Sequence, residues 1–123
     1  MRKRYFHLFS DPSGASHLET LEAELTATPF APPAPDLFLS RPMPAAAAVF
    51  LSAPAGWSGT WHVSPQRQLF IVLSGEVEVE MSDGTVERSG PGAVALLEDT
   101  TGRGHITRVI GDAAVEALVV PLA

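Results

Sequence analysis

The sequence predicts an all-β domain, folded as a jelly roll or small closed barrel. Three observations lead there. Turn signals recur closely and separate short apolar or alternating runs. Glu76-Val77-Glu78-Val79-Glu80-Met81 alternates strictly, which puts the valines and Met81 inward and the glutamates outward. Directly after it, Ser82-Asp83-Gly84-Thr85 carries the Asp-Gly pair of a tight hairpin turn. Many antiparallel strands joined by such turns limit their exposed edges by closing on themselves.

Tyr5–Phe9 and Ser16–Leu25 read as strands flanking the turn Asp11-Pro12-Ser13-Gly14. Leu18, Leu21 and Leu25 could line one face of a helix, but Leu21, Ala23 and Leu25 alternate with Glu22 and Glu24, which favours the strand. Prolines at 29, 32, 33, 35, 42 and 44 exclude an ordinary central strand or helix from Pro29 to Pro44. That segment reads as an extended arm lying over the barrel, anchored by Leu37-Phe38-Leu39. Ala47–Ser52, Gly59–Val63 and Arg67–Leu73 follow as strands, then Thr85–Arg88, Ala93–Leu97, His105–Ile110 and Val115–Leu122. The expected organisation is one domain, with residues 1–46 as N-terminal strands and arm packed on a barrel of residues 47–123. Leu69–Leu73 is apolar on both faces and needs a second covering layer, which the arm or a second subunit could supply. A homodimer is expected.

Composition sets the outer limits on function. The chain has 123 residues, is 46% hydrophobic and 18% charged, and has a formal net charge of −6. This describes a globular protein with enough residues for one core. The acidic balance argues against a nucleic-acid partner, because neutralising phosphates requires a basic surface. No apolar run approaches the ~20 residues that span a bilayer, and the stretch after Arg4 is too short and mixed for a secretory core. No membrane partner and a cytoplasmic location are therefore expected. With no cysteine, any metal would rest on His, carboxylate, amide or water.

Two spaced motifs resemble those of the cupin superfamily, G-x5-H-x-H-x(3,4)-E-x6-G and G-x5-P-x-G-x2-H-x3-N. Gly56, His62, Ser64, Gln68 and Gly75 fall in phase with the first, with Ser64 at the second histidine position and Gln68 at the glutamate. Thr100, Gly102 and His105 follow the second, with threonine for proline; Gly92 lies two residues too far upstream, and Val109 replaces the asparagine. The resemblance covers roughly residues 47–122 and implies a double-stranded β-helix, the jelly-roll cupin barrel. Cupins usually hold Fe, Mn, Ni, Cu or Zn with three histidines and one glutamate in the barrel mouth. Here the resemblance offers His62, Ser64, Gln68 and His105, a degenerate set that has lost its anionic ligand. One divalent ion, zinc or nickel, on His62, Gln68 and His105 is possible chemistry; loss of the carboxylate favours none.

Other residues carry two readings each. Trp61 either walls the pocket or packs in the core. Glu98 and Asp99 either orient His105 or act as an acid or base, or else cap local backbone in a turn. Arg103 either meets an anionic ligand at the mouth or stays solvated, and Arg67 should face away from Gln68. His7 and His17 read as structural. The first functional expectation is a small-molecule-binding cupin in which His62, Gln68 and His105 orient a ligand, beside Trp61, Ser64 and Arg103. A metal-dependent dioxygenase or isomerase is the second. The third is a metal-free sugar isomerase or epimerase with His62 and His105 as catalytic acid and base.

Overall fold

A computed structural model describes residues 1–123 and contains strands but no helix. The strands are β1 (Arg2–Ser10), β2 (Ser16–Glu24), β3 (Thr26–Thr28), β4 (Leu37–Leu39), β5 (Val49–Ala53), β6 (Gln68–Ser74), β7 (Glu76–Met81), β8 (Val86–Ser89), β9 (Val94–Leu97), β10 (His105–Ile110) and β11 (Val115–Pro121). They form a six-stranded sheet in the order β2-β1-β9-β6-β11-β5, a facing three-stranded sheet β10-β7-β8, and the small hairpin β3–β4. Every pair is antiparallel except β1 with β9. This is the jelly-roll barrel.

Alternation decides what fills it. Leu8, Met81 and Leu97 form one buried cluster, and Val72, Val77, Val109 and Val115 form another, with Phe70 packed against both. Val77 and Met81 are buried as the period of β7 requires, and the Asp-Gly turn joins β7 to β8. The outward glutamates are partly neutralised: Glu78 pairs with Arg88 and Arg108, and Glu80 with Arg108.

The outer face of the large sheet is also apolar. Strand register aligns Phe50, Leu118, Ile71 and Val94 in one row across four strands, and Val120, Leu69 and Leu96 in the next. The double-sided apolar character of β6 is thus shared by its neighbours. The chain after β2 leaves beside Met1, through the Leu25 N–H to its carbonyl, and returns at the C-terminal strand through the Ala46 N–H to Pro121. On the way, Leu39–Met43 share a cleft with Tyr5. Leu37-Phe38-Leu39, the expected anchor, pairs with β3, and Leu37 and Phe38 stand half exposed.

One expected strand is corrected. Gly59–Val63 is not a regular strand but runs along β10 through isolated bridges, Ser58 with Arg108 and His62 with His105. Between those bridges the chain takes four steps against three on β10, so one residue is extra. Such a bulge breaks the ladder.

Candidate functional site

His62 and His105 face each other through that last bridge. Each backbone N–H donates to the other's carbonyl, at 3.1 and 2.9 Å, and the ring centroids lie 4.7 Å apart. Both rings line a cavity of about 380 Å³ inside the barrel, His62 at its exposed rim and His105 deeper, 4% exposed. Gln68, the first residue of β6, lines the same cavity. The three residues singled out by motif spacing are therefore brought together.

The remaining walls are mostly apolar, including Phe6, Phe70, Val72, Val79 and Trp57. No Asp, Glu, Lys or Arg lines the cavity. At ~300–1,000 Å³, small-molecule sites are typically apolar with a few placed polar groups, and this cavity has that character.

Asp99 is the residue that sequence reasoning undervalued. It is fully buried, and its carboxylate accepts from Ser64 Oγ at 2.9 Å and from His105 Nδ1 at 2.5 Å. Of the two readings, orientation of His105 is what the geometry displays. Ser64 is 2% exposed and serves Asp99, which keeps it off the cavity wall. His62 Nδ1 donates to the Thr60 carbonyl at 2.7 Å. Both imidazoles are thus held from Nδ1.

Trp61 and Arg103 are not brought to the cavity. Trp61 precedes the inward-facing His62 and is 47% exposed, while Trp57, one bulge earlier, lines the wall instead. Arg103 lies exposed in the loop before β10, tied by its backbone N–H to the Gly14 carbonyl. Arg67 does face away from Gln68 and pairs with Glu98. Glu98 also contacts His7; burial pushes its carboxyl up, but Arg67 and His7 together hold it below the ordinary value of 4.5.

The N-terminal hairpin braces the loop that carries Asp99. The Glu98 N–H donates to Leu8, Ser10 Oγ to Thr101, and buried Ser16 Oγ to Gly104. Gly14 packs so close to Gly102 that a Cβ on the latter would lie 2.4 Å from its carbonyl.

The donor set does not fit a resident divalent ion. No group of three His or carboxylate side chains in the chain is arranged to hold a metal ion. Asp99 supplies the carboxylate–histidine contact that often orients a metal-bound imidazole, yet its charge is spent on Ser64 and His105. Two imidazoles and an amide would leave such an ion without counter-charge.

The family model described as "Cupin domain" matches residues 49–121, more than half of the chain. No functionally curated protein matches the sequence. Among solved structures, the chain is similar to the cupin domain of Cnp3 from Schizosaccharomyces pombe, at 18% identity and a TM-score of 0.49, over 89% of this chain and 79% of that one. It is similar to an RmlC-like cupin protein from Desulfovibrio desulfuricans at 17% identity and a TM-score of 0.44, over 97% and 83% of the two chains. The conserved SPY1581 protein of unknown function from Streptococcus pyogenes shares 21% identity with a TM-score of 0.46, over 62% of this chain and 63% of its own.

Proposed function

The chain belongs to the cupin family, and we propose that its barrel binds a small, uncharged, mainly apolar molecule without a resident metal. The observation that carries this reading is the cavity, which has no ionic side chain and gathers His62, Gln68 and His105 on its wall. Apolar walls supply the binding energy, and the polar groups orient the ligand. Trp57 lines the wall, so occupancy should change its fluorescence on titration with a non-fluorescent apolar probe such as cyclohexanol. Ala95 also faces the cavity. Ala95→Leu should fill part of it and weaken probe binding while far-ultraviolet circular dichroism stays unchanged. Cyclohexanol that binds the variant as well as the native chain would sink this reading.

One observation favours a second reading, acid–base catalysis by His105. A buried carboxylate on Nδ1 leaves Nε2 able to take a proton from a substrate, the arrangement used by general bases. The substrate would still be a small apolar carbonyl compound, because no cation lines the cavity to hold a phosphorylated sugar. Solvent deuterium entering such a ketone, faster with the native chain than with Asp99→Asn, is the expected result. Equal rates would remove this reading.

A second copy of the chain is the proposed neighbour of the large sheet, meeting it at the β5 edge of the outer apolar face. Phe50 is 84% exposed and Leu73 49%, and both lie on that face.

A further inference from the structure

We infer that the cavity is built to receive a hydrogen-bond donor, so that its ligand is a hydroxylated apolar molecule of the phenol or enol class. This rests on the reading of the cavity as a small-molecule site. The argument begins with tautomers. The partner of His62 Nδ1 is a carbonyl, which can only accept, so the ring proton sits on Nδ1. The partner of His105 Nδ1 is a carboxylate that already accepts from Ser64, and an ionised carboxylate likewise cannot donate. A neutral imidazole has one N–H, so each ring presents a bare Nε2.

No protein group fills either position. The structure contains no buried side-chain nitrogen or oxygen lacking a partner, so the unpartnered Nε2 of the otherwise buried His105 is reached from the cavity. Water can meet both acceptors until a ligand enters, but an apolar ligand that displaces it must bring a donor or leave them unpaired. A hydroxyl brings one: its hydrogen goes to an Nε2, the other Nε2 keeping water at the rim, and its oxygen can accept from the Gln68 amide or the Thr107 hydroxyl, which share the cavity. An ether can only accept, and leaves the imidazoles unpaired. A carboxylate or phosphate finds two lone pairs and no cation.

Calorimetry of the full chain at mildly alkaline pH with p-propylphenol, p-propylanisole and p-propylbenzoate tests this. The phenol should bind about tenfold or more tighter than its methyl ether, with the benzoate weakest. Asp99→Asn is nearly isosteric. Its carbonyl can keep Ser64 while its amide donates to His105 Nδ1, which drives the ring proton to Nε2. The phenol preference should then shrink or invert, and nitrogen NMR should report an Nε2–H at His105 but not at His62. His62→Phe, which leaves Asp99 untouched, should remove part of the preference on its own. Equal affinity of native protein for phenol and ether overturns the donor requirement and leaves the cavity reading intact. Failure of all three probes to bind overturns both.

Discussion

Gly104 holds the two histidines in register. Its φ is +71°, and a Cβ there would lie only 1.9 Å from the His62 carbonyl oxygen. That carbonyl accepts the His105 N–H, so no side chain fits without parting the bridge. Gly104→Ala should cost at least about 2 kcal/mol, from the left-handed conformation and the backbone clash together. Urea unfolding measures it, and an unchanged midpoint would contradict the packing described. Ser64→Ala makes a subtler change, leaving Asp99 Oδ1 buried without its donor. A loss of about 1–3 kcal/mol is expected from the same measurement. The spacing of His62, Gln68 and His105 was legible in the sequence because the motif counts positions along strands. Asp99 was not, since Glu98-Asp99-Thr100 also reads as ordinary turn chemistry. Trp57 was missed because an extra residue in the irregular segment moves the inward position.

The β1–β2 hairpin is the element that steadies this loop, and a charged clamp fastens its turn. His17 lies between Asp11, at 2.6 Å, and Asp83, at 2.9 Å, tying the β1–β2 turn to the β7–β8 turn. The Asp11 hydrogen bond, opposed by burial and aided by Asp83, raises the His17 pKa above 6.5. The Ser13 hydroxyl first, and then His17, hold Asp11 well below the usual carboxylate range; the Thr85 backbone N–H leads a smaller lowering at Asp83. A raised imidazole contributes stability that is complete below 6.5 and fades as pH climbs through its folded value. Lowered carboxylates contribute above 3.8 and lose it as pH falls through theirs. The clamp is therefore fully engaged between the ordinary values of 3.8 and 6.5. His17→Gln should lose most stability, relative to the native chain, within that window and little at alkaline pH. Unfolding by urea across pH checks it; a difference that grows with alkalinity would refute the clamp. With His17 one-third exposed, added salt should shrink the effect. Sequence reading placed the hairpin well, because alternation in Leu21–Leu25 outweighed the helical spacing of the leucines. It could not foresee the clamp, since Asp83 is distant in sequence and meets His17 only when the sheets close.

At the scale of the molecule, the two edges of the large sheet differ in charge. The β2 edge carries Glu19, Glu22 and Glu24, and pairing it with itself would set like charges opposite one another. The β5 edge lies in a run from Pro42 to Gln66 with no Asp, Glu, Lys or Arg, in a chain of net charge −6. Two copies can therefore meet there, strand β5 against its symmetry mate, with the exposed Phe50 side chains at the contact. Analytical ultracentrifugation should find a dimer for the native chain and a monomer for Phe50→Glu, with circular dichroism unchanged. A native monomer at high micromolar concentration would dispose of the proposal.

Strand alternation, turn residues and motif spacing determined the barrel and nominated His62, Gln68 and His105. These follow from local periodicity, which the order of residues carries by itself. The tertiary structure alone decided that Asp99 and Thr60 hold the imidazoles from Nδ1, that Trp57 rather than Trp61 walls the cavity, and that apolar rows cross the outer face. A hydrogen bond between loop ends, or a row across four strands, depends on register and on where distant segments meet in space. Neither is written in the spacing of any one segment.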